Sequence, residues 1–328
     1  MKKLISTLAA FSLFITGIFA KTVSFQTESY SGTITYNENA QLGDAVFARL
    51  KMKINKSAKK KNSQDVQAVL QLYKDNKNID NSTFYFLNSK TKRQSMPDML
   101  AGIPISTWFD AQDEFSLKIV FSTGIGPDQE VILPFDILDK EFEKEVLDLN
   151  EKNSGIRQNL GPERMAQIEK LNNILGTVMY TNIYSLKPFI KPVKTERLTA
   201  HFGDRRIYNY TNGKSSTSLH YGNDYGVPEG TEVSACTDGK VVLAEFRIST
   251  GWSVVIEHLP GLYSLYYHLS SLDVKEGDFV KSSQKIGSSG STGLATGPHL
   301  HWEIRLNMAA VAPEFFMNDY TFNDMEIK

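Results

Sequence analysis

This sequence has only one cysteine and almost no net charge. Cys236 is the only cysteine, so the chain can form no internal disulfide, and the alternating apolar residues around it favour a buried structural thiol. The net charge is −1 with both signs mixed along the chain, which argues against nucleic acid as the main partner. Histidine is also rare, with six in 328 residues, so any cluster of histidines points to a site.

Long apolar runs are scarce too, and the clearest one lies at the start of the chain. The basic stretch Met1-Lys2-Lys3 precedes an apolar run over residues 4–19 that is too short to span a bilayer comfortably. This pattern predicts a secretory signal peptide over residues 1–20, with an uncleaved anchor as the alternative. We therefore expect export across the cytoplasmic membrane, to the periplasm, cell envelope or medium, and no membrane contact beyond the signal.

The first half of the remaining chain shows the alternation of apolar and polar residues that is typical of short strands. In residues 48–54 and 115–121 every second side chain is apolar, and turn-forming residues separate such stretches. This rhythm predicts a β-sandwich-like domain over residues 21–138. The domain contains no histidine, so we expect it to position or inhibit a catalytic domain rather than to catalyse.

The hydrophobic period changes over residues 139–194. Phe142, Val146 and Leu149 are spaced as on a helix, and a clearer helical pattern follows Pro162. Pro192 then favours an extended approach to the next domain. We predict a connector that is partly helical and partly extended.

Residues 195–312 are rich in glycine and in short apolar stretches. Many short strands with tight turns predict a compact antiparallel β-structure with an open groove, followed by a C-terminal tail over residues 313–328. The whole chain is therefore predicted to be mainly β.

Two tight clusters in this last domain could hold a metal ion. His299 and His301 lie two apart in an alternating run, and His220 and Asp224 lie four apart in a segment whose glycines favour an extended backbone. On strands, residues two or four apart share a face, so each pair converges. Imidazole and carboxylate ligands without a thiolate suit a catalytic zinc ion, and iron is the serious competitor.

The spacing alone does not decide which histidine of the 299/301 pair binds the metal. The other one, together with His268, is then free to take a proton from a bound water and to stabilise a developing oxyanion.

Several motifs occur in one order across residues 198–307. They are Phe202-Gly203-Asp204-Arg205, His220-x3-Asp224, Tyr267-His268-Leu269-Ser270, the glycine-serine run over residues 287–293, and Thr296-Gly297-Pro298-His299-Leu300-His301. In this order they resemble the lysostaphin-like (LytM-type) zinc endopeptidases. The first half of the chain shows no comparable resemblance.

The resemblance implies a LytM-type catalytic domain with one zinc ion per chain, bound by His220, Asp224 and His301. It makes His268 and His299 the catalytic histidines, without deciding which accepts the proton and which stabilises the oxyanion. The implied activity is hydrolysis of peptide bonds in peptidoglycan cross-links or stem peptides, or in another peptide, through a zinc-activated water.

Two other functions stay open beside this one. A non-catalytic LytM-like regulator would bind the cell wall or activate a partner hydrolase, but such regulators typically lack metal ligands. The stretch over residues 227–231 also resembles turns of sugar-transport phosphocarriers and lipoyl-like domains. The signal peptide and the aspartate in the metal site both speak against that third function.

The remaining polar candidates receive no catalytic role. We interpret His258 as a structural histidine and His201 as a residue of the groove wall. Tyr208 and Tyr221 could line the groove or orient substrate, but aromatic residues near a β groove more often pack. Arg205 either contacts a substrate carboxylate or braces a loop.

Overall fold

The computed structural model describes residues 6–7, 20–55, 66–88, 95–124, 127–317 and 322. The predicted signal peptide lies outside these residues except for Ser6, Thr7 and Ala20. The chain divides into two compact units, residues 1–140 with 320–328, and residues 141–319. None of the helices described is long and apolar enough to cross a membrane.

The first unit is built from strands in the part that the structure describes. These strands are β1 (Ser6–Thr7), β2 (Lys21–Gln26), β3 (Tyr30–Tyr36), β4 (Asn39–Gln41), β5 (Ala45–Ile54), β6 (Gln67–Lys74), β7 (Lys77–Thr83), β8 (Tyr85–Phe86), β9 (Asp98–Pro104), β10 (Phe115–Ser122), β11 (Gln129–Pro134) and β12 (Asp136–Leu138). They form two five-stranded sheets, β1-β11-β10-β6-β7 and β2-β3-β5-β9-β8, and a small β4-β12 pair.

Alternating side chains explain how these two sheets share a core. Along β10 every second residue is buried, as the period of two in its sequence predicts. The rings of Phe25 in one sheet and Phe121 in the other lie 5.3 Å apart between centroids. The arrangement is compatible with the predicted sandwich-like domain. Phe322 also belongs to this unit, where its carbonyl accepts a hydrogen bond from Arg49.

The second unit adds three helices to its strands. Its elements are β13 (Lys144–Asp148), α1 (Glu151–Gln158), α2 (Pro162–Gly176), β14 (Leu198–Ala200), β15 (Arg205–Asn209), β16 (Ser215–Leu219), β17 (Asn223–Tyr225), β18 (Glu232–Ser234), β19 (Gly239–Arg247), β20 (Gly251–Leu259), β21 (Leu262–Leu272), β22 (Phe279–Val280), β23 (Lys285–Ser289), β24 (Leu300–Leu306), β25 (Ala309–Val311) and α3 (Pro313–Met317). The large sheet runs β14-β17-β24-β21-β20-β19-β22, and β13-β15-β16 form a smaller sheet. The prediction of a mainly β chain is confirmed.

The connector differs from its prediction at one point. The spacing of Phe142, Val146 and Leu149 suggested a helix, but residues 144–148 form β13, which pairs in parallel with β15. The partner strand supplies the backbone hydrogen bonds, so tertiary pairing overrides the local period here. The helix predicted after Pro162 is confirmed as α2, with the proline in its first turn.

The first residues of the predicted C-terminal tail form the helix α3. Strand β25 pairs with β24, and α3 follows it directly. Phe316 of α3 is fully buried and stacks on Phe189 at 5.1 Å between ring centroids. The first residues of the tail therefore contribute to the core of the second unit.

Candidate metal centre and active site

Two neighbouring strands bring the predicted ligands together. Strand β17 pairs antiparallel with β24, and in this register Asp224 lies directly opposite His301. Directly opposite residues of paired strands project from the same face of the sheet. His220 lies just before β17, and its backbone N–H donates to the Asp204 carbonyl at 2.9 Å. Pairing thus assembles residues that are about eighty positions apart in the chain.

Three buried donor atoms converge on one point. Oδ1 of Asp224 lies 2.7 Å from Nδ1 of His301 and 3.2 Å from Nε2 of His220. The two imidazole nitrogens lie 3.1 Å from each other. Among the residues that the structure describes, these three form the only cluster of His, Cys, Asp or Glu whose ligand atoms could share one metal ion.

Both imidazoles of the cluster are held on their far side by a second contact. Nδ1–H of His220 donates to the carbonyl of His201 at 2.7 Å, which leaves the Nε2 lone pair facing the cluster. Nε2 of His301 lies 2.9 Å from the Glu303 carboxylate. Such outer contacts fix the tautomer and orientation of metal ligands.

The electrostatics of the cluster follow from burial and close charges. Burial lowers the pKa of His220, and the hydrogen bond and charge of Asp224 offset this only in part. Burial would raise the pKa of Asp224, but the charges and hydrogen bonds of His301 and His220 hold it well below its usual value. Burial would likewise lower the pKa of His301, yet Asp224 and Glu303 raise it to about 9. The Asp224 carboxylate is therefore ionised at neutral pH, and its negative charge favours a cation at this position.

The two predicted catalytic histidines, His268 and His299, lie beside this cluster. The ring centroids of His268 and His299 are 4.8 Å apart, and Nε2 of His299 is 3.7 Å from Oδ1 of Asp224. Nδ1–H of His268 donates to the Thr292 carbonyl at 2.7 Å, and Nδ1–H of His299 donates to that of Gly297 at 2.9 Å. Because a carbonyl only accepts, both rings carry the proton on Nδ1 and keep Nε2 free in the neutral form.

Burial, helped by the charges of His299 and His301, lowers the pKa of His268 to about 3. This imidazole is therefore neutral at physiological pH. Its backbone has a positive φ of 61°, an uncommon conformation for a residue other than glycine, and such strain is concentrated at functional sites.

Residues 218–313 match the family described as peptidase family M23. These residues are an M23 peptidase domain. The match contains all five predicted site residues, and the resemblance to LytM-type enzymes inferred from the sequence is confirmed.

The chain is similar to several curated proteins over part of its length. A protein of Buchnera aphidicola subsp. Baizongia pistaciae named "Uncharacterized metalloprotease" is 38% identical over 127 residues, which are 39% of this chain and 32% of that protein. The "Peptidoglycan DD-endopeptidase ShyA" of Vibrio cholerae serotype O1 is 40% identical over 108 residues, 33% of this chain and 24% of that protein. The chain thus spans about a third or less of the length of these curated relatives.

One solved structure covers most of both molecules. It is a Pseudomonas aeruginosa crystal structure provisionally described as a peptidase M23, with 22% sequence identity and a TM-score of 0.50. The superposition covers 79% of this chain and 90% of that chain. At this identity the similarity concerns the fold alone.

The pocket over the M23 site is lined in part by residues that precede the matched region. Its lining includes His268, His299 and His301, but also Glu145 and Leu147 of β13. Asn153 of α1 lines the pocket as well and donates from Nδ2 to the Ala295 carbonyl at 3.1 Å, in the loop that leads to His299. The predicted connector therefore forms one wall of the site.

Three charged residues around the M23 site were missed by the sequence analysis. Nη2 of Arg206 donates to Oδ2 of Asp224 at 2.8 Å, and Nε of the same arginine donates to Glu145 at 2.7 Å. Glu303 holds His301, as described above. Glu303 follows His301 by two residues in the same predicted strand, so the sequence could have predicted this contact. The contacts of Arg206 could not be predicted in this way, because they depend on how distant strands pair.

The other candidates have structural surroundings. His258 is fully buried and bonds to the Asp238 carbonyl and to Ser264, as expected of a structural histidine. His201 is exposed and contributes its carbonyl to the site, and its side chain is not among those that line the pocket described above. Arg205 braces the loop at Gly203, to whose carbonyl it donates at 2.9 Å.

The two tyrosines divide between the pocket and the surface. Tyr208 lines the pocket, and Tyr221 is partly exposed beneath the guanidinium of Arg305. Cys236 is fully buried, as predicted, and burial raises the pKa of its thiol to about 12. This thiol is therefore protonated at neutral pH.

Proposed function

We propose that this protein is a zinc-dependent endopeptidase that hydrolyses peptide bonds in peptidoglycan cross-links or stem peptides. The observation that carries the proposal is the convergence of His220, Asp224 and His301 on one point beside two further histidines. The M23 domain and the names of the two curated relatives support the same reaction class.

The donor set fits a zinc ion. Two imidazole nitrogens and one carboxylate oxygen, without a thiolate, are ligands that zinc accepts in catalytic sites and that leave a position open. The outer contacts to the His201 carbonyl, Glu303 and Arg206 are the kind that orient such ligands. His220, Asp224 and His301 would hold one zinc ion per chain. A zinc ion bound there would lower the pKa of a water molecule and polarise the scissile carbonyl.

His268 and His299 would move the protons of the reaction. Each keeps Nε2 free because its Nδ1–H is engaged by a backbone carbonyl. A free Nε2 accepts a proton from the attacking water, and once protonated it donates a hydrogen bond to the tetrahedral oxyanion or a proton to the leaving amine. The M23 motif contains no His-Glu-x-x-His sequence, so imidazole is the group placed for this task.

Export is part of the same proposal. The sequence pattern of residues 1–20 favours a cleaved signal peptide, and peptidoglycan lies outside the cytoplasmic membrane. N-terminal sequencing of protein from its native host should give a mature chain that starts near Lys21. A cytosolic pool that retains Met1 would contradict export.

Digestion of purified muropeptides tests the reaction. The zinc-loaded protein should release fragments whose masses identify one class of cleaved peptide bond, and chelation should abolish the release. The His301→Ala protein serves as the matched inactive control. Binding of muropeptides without any cleavage by metal-loaded protein would instead favour a non-catalytic regulator.

A further inference from the structure

Three arginines of the second unit lie close together beside the active site. Nε of Arg164 in α2 donates to Oγ of Ser249 at 2.9 Å, and Nη1 of Arg247 donates to Oγ1 of the next residue, Thr250, at 3.2 Å. The charges of Arg157 and Arg247 add to burial in lowering the pKa of Arg164, as expected of neighbouring cations. Three like charges therefore lie close together and repel one another.

These arginines have no acidic partner in the part of the chain that the structure describes. Within the described ranges, no carboxylate lies within ion-pair distance of Arg157, Arg164 or Arg247. Arg247 is only 4% exposed, and its Nε–H has no hydrogen-bond partner among the described residues. A buried charge is normally paired, because leaving it without a counter-charge is costly.

The cluster adjoins the pocket at two places. The guanidinium carbon of Arg157 lies 3.7 Å from the centroid of the Tyr208 ring, and that ring lines the pocket together with His299. On the other side, Leu294 lines the pocket and its N–H donates to the carbonyl of Ser249, whose Oγ accepts from Arg164. Arg157 therefore contacts a side chain that lines the pocket, and Arg164 is one residue removed from another, so the positive charge lies next to the pocket lining.

We propose that Arg157, Arg164 and Arg247 form a subsite that binds a carboxylate of the substrate peptide. This inference rests on the proposed peptidase function and specifies its substrate as a peptide with a free carboxylate near the scissile bond. A planar guanidinium matches a carboxylate with two parallel hydrogen bonds. Arg157 and Arg164 are half-buried and reach solvent, so they supply these bonds, and Arg247 adds charge from behind.

Kinetics with paired substrates test the subsite. Cross-linked muropeptides are used in their native form and after carbodiimide amidation of their carboxylates. The wild-type protein should show a KM for the native form that is lower by about tenfold or more. Arg157→Gln and Arg164→Gln should each remove most of this preference, while Lys152→Gln, an exposed cation on the same helix as Arg157, should keep it.

The ratio between the two substrates separates recognition from folding. Arg164 also donates to the Asn159 carbonyl and helps to fix α2, so its loss can lower the amount of folded protein. Such a loss reduces activity on both substrates equally and leaves their KM ratio unchanged. The proposal is overturned if the wild type shows no preference, or if both glutamine variants retain it.

A binding measurement separates this inference from the proposed function. The side-chain Nε–H resonances of arginine-labelled full-length protein are followed while native or amidated muropeptides are added. Arginine resonances should shift with the native fragments only, whether or not hydrolysis occurs. Inorganic phosphate is titrated separately. A response to phosphate with none to native muropeptides would overturn the assignment to a substrate carboxylate.

Discussion

Arg206 binds one oxygen of the Asp224 carboxylate and leaves the other available to the metal cluster. Its guanidinium holds Oδ2, and Oδ1 is left to face the two imidazoles. We expect Arg206→Gln to weaken zinc binding by about ten- to a hundredfold, as losses of outer contacts to metal ligands typically do. Competition with a chromogenic chelator measures this affinity. Arg197→Gln, which removes an exposed arginine, should bind zinc as the wild type does, and equal affinity in both variants would argue against the positioning role.

The five histidine and aspartate positions separate into two groups by metal content. His301→Ala, His220→Ala and Asp224→Ala each remove a donor from the convergent set, so these proteins should lose zinc. His268→Ala and His299→Ala should keep zinc and lose turnover by about a hundredfold or more, because each loses a proton-transfer or oxyanion contact. Elemental analysis and muropeptide turnover are measured on all five. A zinc-free His299→Ala beside a zinc-loaded His301→Ala would mean that the pair is reversed.

At the scale of elements, the segment before the M23 match belongs to the same compact unit as the M23 domain. Strand β13 pairs with β15 and lines the pocket, while Leu175 of α2 packs in the core cluster that contains Tyr267. The ring of Tyr267 stacks on His301 at 5.6 Å between centroids. Because Leu175 shares a core cluster with Tyr267, α2 supports the packing behind this metal-ligand candidate. A domain boundary drawn at residue 195 would remove all of these contacts.

We therefore expect a fragment of residues 141–319 to fold and to bind zinc, and a fragment of residues 195–319 to be impaired in both. Removing α2 exposes the apolar side chains of Leu243, Val255 and Tyr263 to water. Circular dichroism melts and zinc titration compare the two fragments. If the shorter fragment melts and binds zinc like the longer one, β13, α1 and α2 contribute nothing essential to the site.

At the scale of the whole molecule, two compact units with separate cores predict two unfolding transitions. Only the unit of residues 141–319 contains the convergent donor set, so chelation should lower one transition and leave the other in place. With free zinc at a hundred times its Kd, the stabilisation is about 2.7 kcal/mol, or about 5–10 °C in the midpoint of that unit. Differential scanning calorimetry with and without chelator measures both. A shift of both transitions would mean that the units unfold together.

The sequence by itself determined the mainly β character and the identity of the ligand candidates. Both depend on local patterns: alternation with period two predicts that His299 and His301 share a face, and that His220 and Asp224 do. In the structure the strands begin at Leu300 and Asn223, so only one member of each pair lies on a strand. The family motifs then distinguished the two histidines of the pair, which spacing alone does not do. Glu303 was within reach of the same reasoning, since it follows His301 on the same face of β24.

Only the tertiary structure decided what surrounds those ligands. The helical spacing of Phe142, Val146 and Leu149 gave no sign that residues 144–148 would pair with β15 and bring Glu145 to Arg206. Nor does any local pattern show that Arg206 reaches Asp224, or that three arginines lie close together with no carboxylate of the described residues within ion-pair distance. The physical reason is that a side-chain period depends on neighbours along the chain, whereas these contacts depend on which distant strands and helices pack together.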